Sequence, residues 1–215
     1  MENIMKNVKP FFATPVFQYD VNMTQEMHKT LLRDLYAWQE KEVGIERSNN
    51  SKFGWHSEVT LFSRQEDSLK ALCAHFLKAI NTCTLEITDN KFELNEYNFL
   101  YEGWVNINRK GGYNAPHDHP GYLWSAVYYA KIPTPSDAKS KSGILEFLDP
   151  RTNIVAMAPE IAEKSPFFIP KIQIRPKENM LIVFPSYLRH WVYPNEEDED
   201  RISIAFNVKY LKDIK

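Results

Sequence analysis

The 215-residue chain has only two cysteines, Cys73 and Cys83, and a formal net charge of −2. Two cysteines in a chain this long exclude a disulfide scaffold, which relies on dense cross-linking. A charge balance so near neutrality gives no sign of the basic surface that nucleic-acid binding needs. No stretch reaches the roughly 20 apolar residues of a membrane span. The segment Met1-Glu2-Asn3-Ile4-Met5-Lys6 lacks the apolar run of a signal peptide. These absences lead to the expectation of a soluble, cytoplasmic protein without nucleic-acid or membrane partners. The run Glu196-Glu197-Asp198-Glu199-Asp200 reads as a solvated loop. Internal repeats, low-complexity segments and linkers are lacking too, which predicts one domain over residues 1–215.

Aromatic residues, by contrast, are plentiful. The 13 Phe, 11 Tyr and 5 Trp fall mostly in short apolar runs, which suits a β-rich core. The run from Phe11 to Tyr19 reads as an opening strand, and Pro15 inside it makes it an edge. Asn22 with Gln25, and Ser63 with Glu66, read as capping boxes for two helices. Met27, Leu31, Leu35 and Trp38 mark the first helix, which should end before Gly44. Leu69, Leu72, Cys73, Phe76, Leu77 and Ile80 mark the second, with Cys73 on its apolar stripe. Ser48-Asn49-Asn50-Ser51 is a polar turn cluster. From Phe92 the pattern is strand after strand: Phe99 to Ile107, Leu123 to Lys131, Gly143 to Leu148, Lys171 to Pro176, Met180 to Phe184 and Ile202 to Tyr210. Short strands with turn signals between them predict a sandwich or jelly roll. Pro133 to Ser142 reads as a loop, and Asp149 to Pro170 as a long loop or lid.

One stretch stands apart, Pro116-His117-Asp118-His119-Pro120. Imidazoles and a carboxylate are good ligands for a divalent metal such as iron(II). Side chains two apart on a strand share a face, so His117 and His119 can converge while Asp118 points away. Far along the chain, the apolar run Met180 to Phe184 leads to another histidine, His190. Ten residues after it comes Arg201-Ile202-Ser203. Three ligands leave positions open on a metal, and an arginine fork with a serine hydroxyl suits a carboxylate. His56, in Gly54-Trp55-His56-Ser57, reads as a packed or hydrogen-bonded residue rather than a ligand.

These residues resemble the small bacterial and phage iron(II)/2-oxoglutarate-dependent oxygenases. The resemblance runs nearly end to end. It includes Phe12-Ala13-Thr14-Pro15-Val16, Gly54-Trp55-His56-Ser57, Trp104-Val105-Asn106-Ile107-Asn108 and Trp124-Ser125-Ala126-Val127-Tyr128-Tyr129. It continues through Asp149-Pro150-Arg151 and Phe184-Pro185-Ser186, and closes on Arg201 to Asn207. It implies an α+β, mainly β fold: a double-stranded β-helix (jelly roll, cupin-like) with two N-terminal helices packed on one face. It further implies Fe(II) and 2-oxoglutarate as cofactors and His117 and His190 as iron ligands. Arg201 and Ser203 would bind the tail carboxylate of 2-oxoglutarate, with Asn106 and Tyr128 as further cofactor-binding residues. The wider superfamily has Asp or Glu two residues after the first histidine, where this chain has His119. His119 is the favoured third ligand on the strand-face argument, with Asp118 as the alternative.

The expected reaction is oxidation, in the first place hydroxylation, of a small-molecule or peptide substrate, with 2-oxoglutarate converted to succinate and CO2. Trp104, Tyr122 and Trp124 join Asn106 and Tyr128 as candidate pocket residues. A cupin-type three-His iron dioxygenase without 2-oxoglutarate is the second reading, and a non-catalytic jelly-roll binding or phage structural module the third. A homodimer paired through sheet edges stays open.

Overall fold

Residues 201–212 alternate in a way that only a doubly covered strand explains. Ile202, Ile204, Phe206 and Val208 are fully buried, yet so are Arg201, Ser203 and Asn207 between them. Both faces of this strand must therefore lie against other layers. The computed structural model, which describes residues 12–45, 53–151, 160, 164–165 and 167–212, shows those layers. In chain order they are β1 (Phe17–Asp20), α1 (Gln25–Lys41), β2 (Gly54–His56), α2 (Asp67–Ile87), β3 (Tyr97–Asn108) and β4 (Asn114–His117). Then follow β5 (Trp124–Lys131), β6 (Leu145–Leu148), β7 (Lys171–Ile174), β8 (Met180–Pro185), β9 (His190–Val192) and β10 (Arg201–Lys212).

The strands form two antiparallel sheets. The larger has the order β1-β8-β5-β10-β3-β2 and the smaller β4-β9-β6-β7. The sheets face each other, and among the described residues they do not close into a barrel. The outer face of the larger sheet carries the helices. Leu31, Leu35, Leu69, Leu72, Phe76 and Ile80 share a core with Val105, Ile204, Phe206 and Val208. Phe76 stacks on Phe206 at 4.3 Å between ring centroids. The inner face packs differently, with Tyr129, Ile182 and Phe184 meeting Leu145, Phe147 and Val192 of the smaller sheet. The fold is thus α+β, built on two antiparallel sheets with flanking helices. No helix among the described residues is long and apolar enough to cross a membrane.

Most expected elements are present, with local corrections. The opening strand forms only after Pro15, at Phe17, and is an edge. The first helix is capped by Thr24, whose Oγ1 accepts from the Met27 amide at 3.2 Å, and not by Asn22. The second starts after Glu66 with no side-chain cap. Ser63 lies instead in a 3-10 turn, and Glu66 turns to Arg64. Cys73 is partly exposed at the rim of the helix core, while Cys83 is fully buried. Burial pushes the Cys73 thiol up to about 12 and the Cys83 thiol up to about 11, which keeps both unreactive at neutral pH. The turn cluster at residues 48–51, the beginning of the chain through Phe11, and residues 152–159 of the expected long loop lie outside the described residues. The strands β2 and β9 were not expected, and the strand assumed across His117 and His119 ends at His117 as β4. Each has only three or four residues, too few for a period-two signal to register.

Truncating Phe76 to alanine removes the stacked ring between α2 and the sheet. We expect Phe76→Ala to cost about 3–5 kcal/mol in urea unfolding, with native secondary structure retained by circular dichroism.

Candidate metal centre

The smaller sheet builds the centre. Strands β4 and β9 pair antiparallel with His117 directly opposite His190. Residues so paired bring their side chains together on one face, and the two imidazole centroids lie 4.4 Å apart. His119 comes after β4 ends. Its amide donates to the Ser186 carbonyl at 2.9 Å, which ties this stretch to the end of β8. Its ring lies 4.9 Å from His117 and 5.4 Å from His190. One nitrogen from each of His117, His119 and His190 falls within 4.8 Å of the others. Asp118 is exposed and takes no part in this cluster.

Two of the rings are held in one tautomer. His117 Nδ1 lies 2.7 Å from the Ala115 carbonyl and His190 Nδ1 2.9 Å from the Leu188 carbonyl. A carbonyl can only accept, so each Nδ1 carries the proton and leaves the Nε2 lone pair for a ligand. Burial lowers the pKa of His117, against the opposing Ala115 carbonyl and Asp118 charge. Burial, with the neighbouring His117 second, holds His190 well below the usual imidazole range. Aromatic rings wall the cluster: Phe184 lies 4.8 Å from His190, and Trp104 lies 5.7 Å from His119. The donor set and its fixed lone pairs fit a divalent ion that accepts nitrogen ligands.

A narrow cavity of about 60 Å3 runs from the histidines between the sheets. Among the described residues its lining includes Asn106, Tyr129, Arg201, Ser203 and Asn207, and no aspartate or glutamate. Arg201 is 1% exposed. Its Nε donates to the Gly143 carbonyl at 3.3 Å and its Nη1 to Ser203 Oγ at 3.2 Å. Among the described residues its Nη2, the Tyr129 hydroxyl and Asn106 Oδ1 make no hydrogen bond of good geometry, and the charge of Arg201 is eased only by its nearness to the Tyr129 hydroxyl. The guanidinium carbon lies 5.2 Å from the centre of the Tyr129 ring. Gly143 has φ +64°, and a Cβ there would lie 3.1 Å from Arg201 Cδ, so this turn needs glycine.

The structure thus brings His117, His119, His190, Arg201, Ser203 and Asn106 to one cavity. It does not bring Tyr128, which is a correction. Tyr128 points to the helix side of β5, near Phe76, and its hydroxyl donates to Asn179 Oδ1 at 2.7 Å. Trp124 shares that face and donates to Thr84 Oγ1 at 2.9 Å. The parity of β5 is opposite to the expected one, so Ser125, Val127 and Tyr129 face the cavity. Sequence offered little warning, because a strand buried on both faces shows no alternation. His56 lines the cavity without joining the cluster. It stacks against Trp104 at 5.6 Å, and its Nδ1 lies 2.5 Å from the Ser57 carbonyl.

Comparison with known proteins extends this geometry. Residues 102–207 match a protein-family model described as "Putative 2OG-Fe(II) oxygenase". The chain is similar in fold to a Pseudomonas putida prolyl-4-hydroxylase, at 15% identity and TM-score 0.58, covering 90% of this chain and 91% of that one. It is similar to a Trichoplax adhaerens prolyl hydroxylase solved with a peptide fragment of hypoxia inducible factor, at 14% identity and TM-score 0.61, covering 92% and 83%. It is also similar to HygX from Streptomyces hygroscopicus, solved with nickel, 2-oxoglutarate and hygromycin B, at 12% identity and TM-score 0.57, covering 91% and 83%. No curated protein matches the chain. The matched segment spans just under half of the chain and holds all three clustered histidines together with Arg201 and Ser203.

Proposed function

We propose that this chain is an oxygenase whose iron(II) is held by His117, His119 and His190, within a fold that we read as a double-stranded β-helix. This centre suits a three-His dioxygenase better than the two-His, one-carboxylate centre expected of a 2-oxoglutarate enzyme. One observation keeps 2-oxoglutarate in the proposal. Among the described residues the cavity is lined by the buried guanidinium of Arg201, which faces only neutral groups there, and by no carboxylate. A divalent ion on three neutral imidazoles adds two more positive charges there. Such a cavity requires an anionic ligand. A dicarboxylate meets that need by placing its far carboxylate on Arg201 and Ser203. The second reading, a three-His dioxygenase without 2-oxoglutarate, is favoured by the donor set alone.

The bound iron would supply dioxygen activation, which side chains cannot provide. The protein's own groups bind and orient. The Ala115 and Leu188 carbonyls fix two imidazoles, and Arg201 would set the depth and angle of the carboxylate. Phe184, Phe147 and Trp104 exclude water from around the histidines. Asn106 offers an unpartnered acceptor to an N–H or O–H donor in the cavity. The small free volume admits a slender co-substrate. The oxidised substrate, a small molecule or a peptide side chain, would approach from the mouth.

Anaerobic titration with iron(II) and then 2-oxoglutarate, followed by a succinate assay, separates the two readings. Iron binding with succinate formation supports the 2-oxoglutarate reading; iron binding without succinate supports the other. A chain that binds no iron sinks both. His119→Ala should lose iron after anaerobic reconstitution while Asp118→Ala keeps a full equivalent, read by metal analysis. Arg201→Ala should keep iron and raise the apparent 2-oxoglutarate constant at least about 30-fold, from a lost charge-assisted contact of roughly 2–5 kcal/mol. An unchanged constant would detach Arg201 from the co-substrate. The metal-free chain should also lose stability as pH falls below about 6.5. The folded pKa values of His117 and His190 are lowered, so the unfolded chain takes up protons first. Thermal midpoints measured between pH 8 and pH 5 check the sign.

A further inference from the structure

On one side of the molecule both sheets end in strands that pair along a single edge among the described residues. β7 pairs with β6, and β1 pairs with β8. Between these edges runs a groove of about 690 Å3, which the histidine cluster does not use. That size falls within the roughly 300–1,000 Å3 typical of ligand pockets. Its floor is apolar, with Val16, Phe147, Leu148, Ile172, Ile174 and Leu188. Its rim carries Arg151, Lys171 and Arg175, of which Lys171 also lies 3.4 Å from Glu146. Among the described residues Asp149 is the one carboxylate in the lining, and Arg151 pairs with it at 2.7 Å. Ile172 is 54% exposed on this open edge, a position that soluble proteins usually blunt or cover.

β7 sorts its side chains by parity. Gln173 reaches Glu146 on the far face of the sheet, and Lys171 and Arg175 share its parity, while Ile172 and Ile174 have the opposite one. We propose that the groove takes an extended segment of a partner protein, which adds to the smaller sheet as a further strand along β7. Its alternate residues are apolar, set against Ile172 and Ile174, and those between are acidic, set against Lys171 and Arg175. β1 makes a poorer template, because Pro15 just before it has no amide to donate. A second copy paired antiparallel through β7 sets Lys171 opposite Arg175, a like-charge contact that opposes such a dimer. The basic residues Lys6 and Lys9 make residues 1–11 a poor charge match. The Leu188 carbonyl on this floor also holds His190, so the docked segment lies one wall away from the histidines.

The test is fluorescence anisotropy of the full chain with a labelled octapeptide of alternating valine and glutamate. Two control peptides are used, one with lysine for glutamate and one N-methylated at alternate amides along the pairing edge. The acidic peptide should bind about tenfold tighter than the basic one, the gain of two opposed charge pairs. Arg175→Glu, alone and with Lys171→Glu, should narrow and then invert that preference, with folding checked by circular dichroism. N-methylation should abolish binding. The proposal is overturned if the acidic peptide fails to bind at about 1 mM, or if the methylated peptide binds equally well. A dimer in sedimentation velocity that Ile172→Asp dissolves would give the groove to a second copy. A variant with residues 152–159 replaced by glycine and serine that binds the peptide tenfold tighter would give it to the chain itself. Either result also overturns the proposal.

Discussion

β10 is paired on both sides, by β3 over twelve residues and by β5 over seven. Neither of its faces meets solvent along most of its length. A one-residue slip would drive Arg201 into the helix core beside Phe206 and turn Ile202 and Ile204 into the polar cavity. An uncompensated buried charge costs several kcal/mol, so register here is fixed by electrostatics as much as by hydrophobic burial. The ladder to β5 shifts between Ile202 and Ser203. Such irregularities re-aim side chains near sites, and this one puts Tyr129 across from Ser203 on the cavity side. Helix packing and cavity chemistry are thus decided together, by the parity of one strand.

The charge distribution follows the same logic. Among the described residues the cavity is lined by an arginine and four imidazoles, while acidic groups lie elsewhere. Glu146, only 2% exposed, sits on the opposite face of β6, where Trp191, Tyr193 and Gln173 donate to it and Lys171 lies 3.4 Å away. Its pKa is lowered although burial pushes the other way, because these donors outweigh desolvation. The smaller sheet therefore carries a satisfied anion on its outer face, while the larger sheet presents Arg201 and Tyr129 to the cavity. A buried donor without a partner costs about 1–3 kcal/mol, and a ligand that satisfies it recovers that energy on binding.

Much of this was legible in the sequence, and what was not has physical causes. The histidines stood out because Pro116 and Pro120 bracket them and because His190 follows a long apolar run. The choice between Asp118 and His119 rested on strand parity, but β4 ends at His117, so His119 joins the cluster from beyond the strand and not by that alternation. Tyr128 misled because Trp124 to Tyr129 is apolar or small throughout, so either parity was equally plausible. Asn22 misled because Thr24, two residues later, is an equally good cap. The bounds of β4 and the existence of β9, which deliver two of the three histidines, were not legible, because their stability comes from pairing with each other and not from local pattern.

Gly143 shows where this design can change most readily. It lies outside every strand, in the turn before β6, yet its carbonyl and its missing side chain fix the position of Arg201. The position of Arg201 is therefore set by a buried turn as well as by the sheets that enclose the cavity. Turns diverge faster than sheets, since fewer partners constrain them. A lineage could reposition Arg201 by altering that turn alone, while the histidines and both sheets stay as they are.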